Sequence, residues 1–461
     1  MVPKPTHATF HIHYIWVALG IAIFAGFAIG AHVAFVIGFD FPLGKGYLSF
    51  IQTHGHVQLV GWVGLFIIGI TLHFIPRLAG VPIAHPSWIE RVLWLMAAGL
   101  IVRSIGHTIL PYLDGSPFFL LYNWLVAVSG LIEWFGVVGY LLLLLNVLYD
   151  AGETTERLAL QSVRPFFGMM IVGWVFYASL NLILLVHMAI SGQVVVHQAW
   201  NEFAIQAFIG LILLPVTFAF SVRLFPLYLR LPASDWPVRG LAYAYLVAFC
   251  LSILPTLPVE PITRISLSLS MLGKILRGGI ILWFIWKLDV LTRLREPWIV
   301  KRVLQPGPER RPTREGMPDY GEFGKFERLV YAAYVWLALG AFLEVMLGVT
   351  TFLGWSLSIS GDAVRHVYLL GFVTHLILGM SVRMIPGFLG KRRVASQRLV
   401  NATFWLGTGA ALSRVLPLLV PSRVLEAIPG GVAVSQAAFG LSGILGLAMV
   451  SCLAVNLWKT A

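Results

Sequence analysis

Charge is what this sequence has least of. Asp, Glu, Lys and Arg together make up 11% of its 461 residues, well below the roughly 25% of an ordinary soluble domain. Cysteine is almost missing as well. Only Cys250 and Cys452 occur, which excludes a covalently attached C-x-x-C-H haem and any paired-cysteine metal site. Both thiols sit in apolar segments and read as buried structural residues. The acidic residues are outnumbered, 20 against 32 basic ones, for a net charge of +12. That excess does not point to nucleic acid. The bases cluster in short loops and one longer segment, as topology signals do, and not on a solvated domain.

Apolar length is what the chain has instead. Hydrophobic residues account for 58% of it. Runs such as 16–38, 56–76 and 129–149 approach or exceed the ~20 residues that span a bilayer core. The short polar start runs straight into the first apolar segment without a small-residue cleavage site, so that segment reads as a retained helix. Between breakers, the windows predict helices near 10–38, 53–76, 87–111, 117–148, 164–190, 196–229, 237–254, 263–293, 325–357, 362–388, 396–420 and 431–458. The seventh is the shortest. The expected class is an all-α membrane protein of about twelve transmembrane helices.

Lys and Arg orient the bundle. Loops after even-numbered helices carry Arg91, Arg157, Arg164, Arg230, Arg239, Lys391, Arg392, Arg393 and Arg398, whereas those after odd-numbered helices hold little beyond Lys45, Arg264 and Arg423. Both termini are therefore expected in the cytoplasm. The Pro-rich stretch 294–324, with Arg310, Arg311 and Arg314, reads as a cytoplasmic linker.

The chain also repeats itself. His56-Val-Gln-Leu-Val-Gly61 continues through Gly69 to Pro76 and Gly80, and His366-Val-Tyr-Leu-Leu-Gly371 continues through Gly379 to Pro386 and Gly390. The two runs align without a gap at an offset of 310 residues. A weaker third copy sets Ser221-Val-Arg-Leu-Phe-Pro226 against Ser381-Val-Arg-Met-Ile-Pro386, with Gln206 where the others have histidine. The copies fall on helices two, six and ten. They divide the chain into three pseudo-symmetric four-helix repeats: 1–150, 151–293 and, after the 294–324 linker, 325–461.

Ionisable groups inside a bilayer are costly and mark function by default. In the predicted topology His54, His56, His197 and His366 open inward-running helices at the outer face, while His32 and His187 lie near the outer ends of helices one and five. Imidazole is a common ligand of haem iron and copper, so this level is a candidate haem or metal site. His56 and His366 occupy equivalent repeat positions at equal depth, as two axial ligands of one iron would. His375 lies nine residues beyond His366, about 13 Å deeper and on roughly the opposite face, so those two cannot share an iron. His54 is about 200° around the helix from His56 and faces something else. A copper site joining His54 with His32, His187 or His197 is the less specific alternative. Arg103 and Arg277 offer forks for haem propionates, with Lys274 near the latter, unless each pairs with an acid on a neighbouring helix. Glu133 and Glu344 lie near mid-membrane, where a carboxyl can relay protons.

Three of these elements resemble the NnrS family: the Ser-Val-Arg-x-x-Pro-Gly-Phe-Leu-Gly run at 381–390, His366 opening helix ten, and His54-Gly-His56 opening helix two. The resemblance implies a bacterial inner-membrane protein with b-type haem and copper, linked to nitric oxide metabolism or nitrosative stress. It further implies a periplasmic or membrane-bound electron donor. The chain departs from that family's usual motifs at Leu72–Arg77 and at Gly387–Lys391. A more distant resemblance is to the catalytic subunit of haem–copper oxidases and nitric oxide reductases. Helix seven has no histidine and helix six has Gln206, however, so that subunit's vicinal histidine pair is missing. The residues alone also allow a secondary transporter or an assembly subunit with no redox cofactor. Repeats, buried bases and mid-membrane carboxyls suit substrate or proton coupling.

Overall fold

A computed structural model describes residues 10–151, 158–258, 264–295, 321–355 and 359–461. Most of the expected linker, with Arg310, Arg311 and Arg314, lies outside the described residues, as does Arg157. Among those described there is no strand. The long helices are α1 (His13–Gly38), α2 (Tyr47–Ala79), α3 (Ser87–Leu113), α4 (Phe119–Asp150), α5 (Leu158–Ile190), α6 (Gln198–Tyr228), α7 (Val238–Thr256), α8 (Arg264–Leu288), α9 (Phe326–Phe352), α10 (Gly361–Phe388), α11 (Gln397–Leu419) and α12 (Gly431–Thr460). Eleven are long and apolar enough to cross a membrane. The protein is an all-α, multi-pass membrane protein. The exception is α11, whose 23 residues include Arg398 and Arg414.

Helix ends follow local chemistry. Ser360 and Ser396 cap α10 and α11, accepting from the N–H of Ala363 and Leu399 at 3.1 and 3.3 Å. α2 starts six residues before its apolar window. Its first turns bury Ser49, Gln52 and Thr53, and Gln52 pairs with both the N–H and the C=O of Val196, at 2.9 and 2.6 Å. A hydropathy window does not register a turn held by polar side chains. α8 stops at Leu288, five residues early, because Asp289 turns the chain at φ 60°.

The three aligned windows share their backbone irregularities. α2 widens to π-helical turns over Val57–Gly64 and α10 over Val367–Thr374, matching at the same 310-residue offset; α6 does so over Phe208–Leu213. Each helix then carries a proline in its last turns (Pro76, Pro226, Pro386), and four residues later comes a left-handed residue: Gly80 at φ 63°, Arg230 at φ 49° and Gly390 at φ 71°. In two copies the next N–H closes back on the proline carbonyl, Val81 on Pro76 at 3.1 Å and Lys391 on Pro386 at 2.7 Å. π-turns are rare and leave carbonyls without their usual partners. Those of Leu369 and Leu370 are taken by Thr374 Oγ1 at 2.7 Å and His375 Nδ1 at 3.0 Å.

The chain divides into two compact units. One comprises residues 1–214, 257–260 and 439–447, and the other comprises 215–256, 261–438 and 448–461. Within the first, α3 closes on α4 at Gly99, where an added Cβ would stand 2.5 Å from Glu133 Cγ and 3.0 Å from the Ser129 carbonyl. Within the second, α8 closes on α9 at Gly278, where the Ala341 carbonyl would be 2.5 Å away. Small residues let helix backbones approach in lipid, where packing and not water exclusion drives association.

Candidate functional site

Four helices of the first unit bring polar side chains together in its apolar interior. α2 supplies His56, the residue just before its π-turns, α3 supplies Arg103 and His107, α4 Glu133 and α5 Tyr177. All five are buried, Arg103 and Glu133 to 3% and 4% exposure. His56 Nε2 lies 2.8 Å from Glu133 Oε2, and its Nδ1 lies 3.2 Å from Tyr177 Oη. The Tyr177 ring stacks nearly parallel to the imidazole. Both ring nitrogens are thus engaged.

The rest of the cluster is under-satisfied. Gly99, Arg103 and His107 recur at four-residue spacing, which sets them on one face of α3. Gly99 admits Glu133, and Arg103, one turn on, lies in the electrostatic field of Glu133 and Tyr177. Arg103 Nε and Nη1 make no hydrogen bond, and neither does Glu133 Oε1. His107 Nε2–H donates to the Val194 carbonyl at 3.1 Å, which leaves Nδ1 a buried lone pair without a partner. A crevice lined by Glu133, Tyr177, Trp174 and Asn181 has room for about one water molecule. The histidine and the carboxyl thus lie 2.8 Å apart, within hydrogen-bonding distance, in the buried interior of the unit.

The other expected site residues are dispersed. His54 Nδ1 lies 2.8 Å from the Gly26 carbonyl, and its ring fills the space left by Gly30. His32 packs edge-on to Phe50, and His32, His187 and His197 are all exposed on the protein surface. Among the described residues no three His, Cys, Asp or Glu side chains gather as a metal would require. His366 belongs to an ion cluster at the start of α10. Its Nδ1 is 2.9 Å from the Asp362 carbonyl and 3.3 Å from its carboxylate, which also pairs with Arg365 and, at 3.1 Å, with Arg414.

His375 is fully buried, and its Nε2 has no partner. A Cβ added at Gly407 would stand 3.1 Å from it and 2.9 Å from Met449 Sδ. Arg277 grips Glu344 with two hydrogen bonds, Nε at 2.8 Å and Nη2 at 2.7 Å. Its fork already holds a carboxylate from a neighbouring helix.

A haem does not fit these surroundings as they stand. His56 has no free nitrogen, the crevice beside it is water-sized, and the free nitrogen of His375 is packed against Gly407. Sequence reasoning picked out Glu133 but not Tyr177, His107 or Asp362. The four-residue spacing from Gly99 to His107 was available as a signal, whereas nothing marks Tyr177 among fourteen tyrosines. Neither any protein-family model nor any curated protein matches the chain, so the site is read from its own residues.

Proposed function

We propose that this protein is a proton-coupled secondary transporter whose proton site is the His56–Glu133 pair. One observation carries the reading: a histidine and a carboxyl share a hydrogen bond in the buried interior of a membrane-spanning unit, beside an arginine with unengaged donors. Buried ionisable groups of this kind mark proton relays in pumps and transporters. Arg103 lies in the field of Glu133 and keeps unengaged donors, and the Tyr177 ring lies parallel to the imidazole. A proton on Glu133 would remove the charge that faces Arg103 and leave that cation to be satisfied by substrate or water. Substrate binding and proton binding are then linked through one residue.

The test is solute-driven proton movement in proteoliposomes loaded with a pH-sensitive dye and offered monocarboxylates, amines or neutral sugars. Wild-type protein is expected to move protons with one solute class, and Glu133→Gln to lose at least tenfold of that rate. Equal rates in the variant, or no solute-dependent proton movement with any class, would sink the proposal.

A second reading rests on His375. Its Nδ1–H donates to a backbone carbonyl, and its Nε2 is free, as in a ligand histidine. An NnrS-like protein of a bacterial inner membrane, holding b-type haem and reacting with nitric oxide or passing electrons, would need α10 and α11 to part at Gly407 to admit the group beside this nitrogen. A pigmented preparation whose reduced haem spectrum is lost in His375→Ala would establish it. A colourless one would end it.

A further inference from the structure

The stretch that joins α5 to α6 is built into the first unit. Gln193–His197 forms no helical turn, yet Val196 is buried to 5% exposure and packs with Leu110, Val126, Leu185 and Met188. Backbone groups taken out of water need partners, and here helix side chains supply them. From α2, Ser49 Oγ donates to the Val194 carbonyl at 3.2 Å, and Gln52 pairs with both backbone groups of Val196. From α3, His107 Nε2–H donates to the same Val194 carbonyl at 3.1 Å. From α4, Asn123 Nδ2 donates to the Gln193 carbonyl at 3.1 Å.

These attachments stand directly over the polar cluster. Gln52 lies four residues before His56 on α2, and His107 lies four residues after Arg103 on α3. Four residues are about one turn, so each pin shares a face with a site residue about 6 Å away along its helix. The strap therefore crosses the cluster at the end of the unit where α2 begins and α3 stops. The crevice beside Glu133 has room for about one water molecule, so a cover has to move for any solute to reach the pair. The four pins are side-chain hydrogen bonds, and breaking them leaves every helix wound. A segment held in this way opens at a lower free energy than the helices beneath it. Its first residue stays attached, since the Gln193 N–H closes on the Met188 carbonyl at 3.0 Å beside the left-handed Gly192 at φ 63°.

We infer that Gln193–Val196 is a gate over the His56–Glu133 pair. Released from Ser49, Gln52, His107 and Asn123, it swings about Gly192 and opens the way between α2 and α3 to the pair. The inference rests on the reading of that pair as a site that exchanges with water, and not on the solute that moves with the proton.

Access is read with a cysteine placed below the strap in the full-length protein, after Cys250 and Cys452 are replaced with serine. Val60 is 2% exposed, lies one turn beyond His56 and lines the crevice. A small charged methanethiosulfonate should modify Val60→Cys slowly. Modification should be at least fivefold faster when Gln52→Ala or Asn123→Ala is added. It should be unchanged by Ser191→Ala, whose hydroxyl bonds only within the end of α5. Hydrogen exchange of the unaltered protein supplies a measurement that needs no variant. The Val196 amide, bonded to Gln52, should exchange at least tenfold faster than the buried amides of α4 from Val126 to Tyr140. Rates of modification that ignore both pins, or a Val196 amide that exchanges no faster than α4, would overturn the inference. Neither measurement reads flux, so a failed proton-flux test leaves the gate standing, and a failed gate leaves that test untouched.

Discussion

Glu133 owes its position to a residue with no side chain. Gly99 leaves the space in which α4 brings Glu133 against α3, since an added Cβ would meet Glu133 Cγ at 2.5 Å. That contact lies well inside van der Waals range, and the backbone of Ser129 and Glu133 stands close behind it, at 3.0 and 3.2 Å, so the helices must part. Gly99→Ala is expected to cost about 1–3 kcal/mol by overpacking. It should also break the His56–Glu133 hydrogen bond, because the carboxyl is pushed off α3. Thermal unfolding measures the first effect. The second is read from the infrared signature of the Glu133 carboxyl, which should move in Gly99→Ala and vanish in Glu133→Gln. A destabilised variant with an unmoved band would show that the pair tolerates the shift.

Asp289 gives a residue whose role depends on pH and lies outside the spans. Its carboxylate accepts from the N–H groups of Leu294 and Arg295, each at 2.9 Å, and from the Thr292 hydroxyl. Burial pushes the carboxyl up, but these hydrogen bonds and the Arg295 charge outweigh it and hold the group below the usual carboxylate range. A depressed folded-state value contributes stability that is complete above the unfolded value and lost as pH falls through the folded one. Wild-type protein should therefore exceed Asp289→Asn by about 1 kcal/mol near neutrality. The gap should begin to close as pH drops below about 4, where the unfolded carboxyl takes up its proton, and be gone once pH has fallen through the lower folded value. A gap independent of pH would mean that the loss in Asp289→Asn comes from geometry and not from the charge of the carboxylate.

At the scale of elements, the shared feature is the way α2, α6 and α10 end. A proline removes a helical donor and crowds the carbonyl four residues back, and the left-handed residue four positions later stops the helix. Gly80 and Gly390 take that conformation without penalty, whereas Arg230 takes it against the steric cost of its Cβ. Gly80→Ala and Gly390→Ala are each expected to lower stability by about 1–2 kcal/mol. Arg230→Gly should raise it, unless unfolded-state entropy offsets the gain. Opposite signs at three aligned positions, measured by unfolding in one detergent, would establish the shared terminator.

This element was legible in the sequence because glycine and proline act locally, and their spacing survives in two copies while the third keeps the proline. The helices were legible for the same kind of reason, since apolar length alone marks a span. The site was legible only in part. Glu133 stands out as a lone acid in an apolar run, but its partner lies 77 residues away and is chosen by packing at Gly99. Equal depth for His56 and His366 suggested a shared iron. Depth says nothing about which groups fill the space beside each ring, and here those are Glu133 and Tyr177 for His56 and Asp362 for His366.

At the scale of the whole molecule, the distribution of Lys and Arg predicts orientation, and the described loops make that testable. Gly44 and Gly192 lie in loops after odd-numbered helices, whereas Ala84 and Ser234 lie in loops after even-numbered ones. Arg91, Arg230 and Arg239 flank the second set, and basic residues near span ends are retained on the cytoplasmic side. Cys250 and Cys452 are the only native thiols, so replacing both with serine gives a clean background for single cysteines at these four loop positions. In intact cells a membrane-impermeant maleimide should label Gly44→Cys and Gly192→Cys. Ala84→Cys and Ser234→Cys should react only after lysis. His56 lies in the early turns of α2, only nine residues after its start at Tyr47, so this topology opens the His56–Glu133 pair toward the outer face. The proton taken up there would come from outside, and transport would run inward down a proton gradient. The reverse labelling pattern would turn the pair to the cytoplasm and make the same chemistry an exporter's.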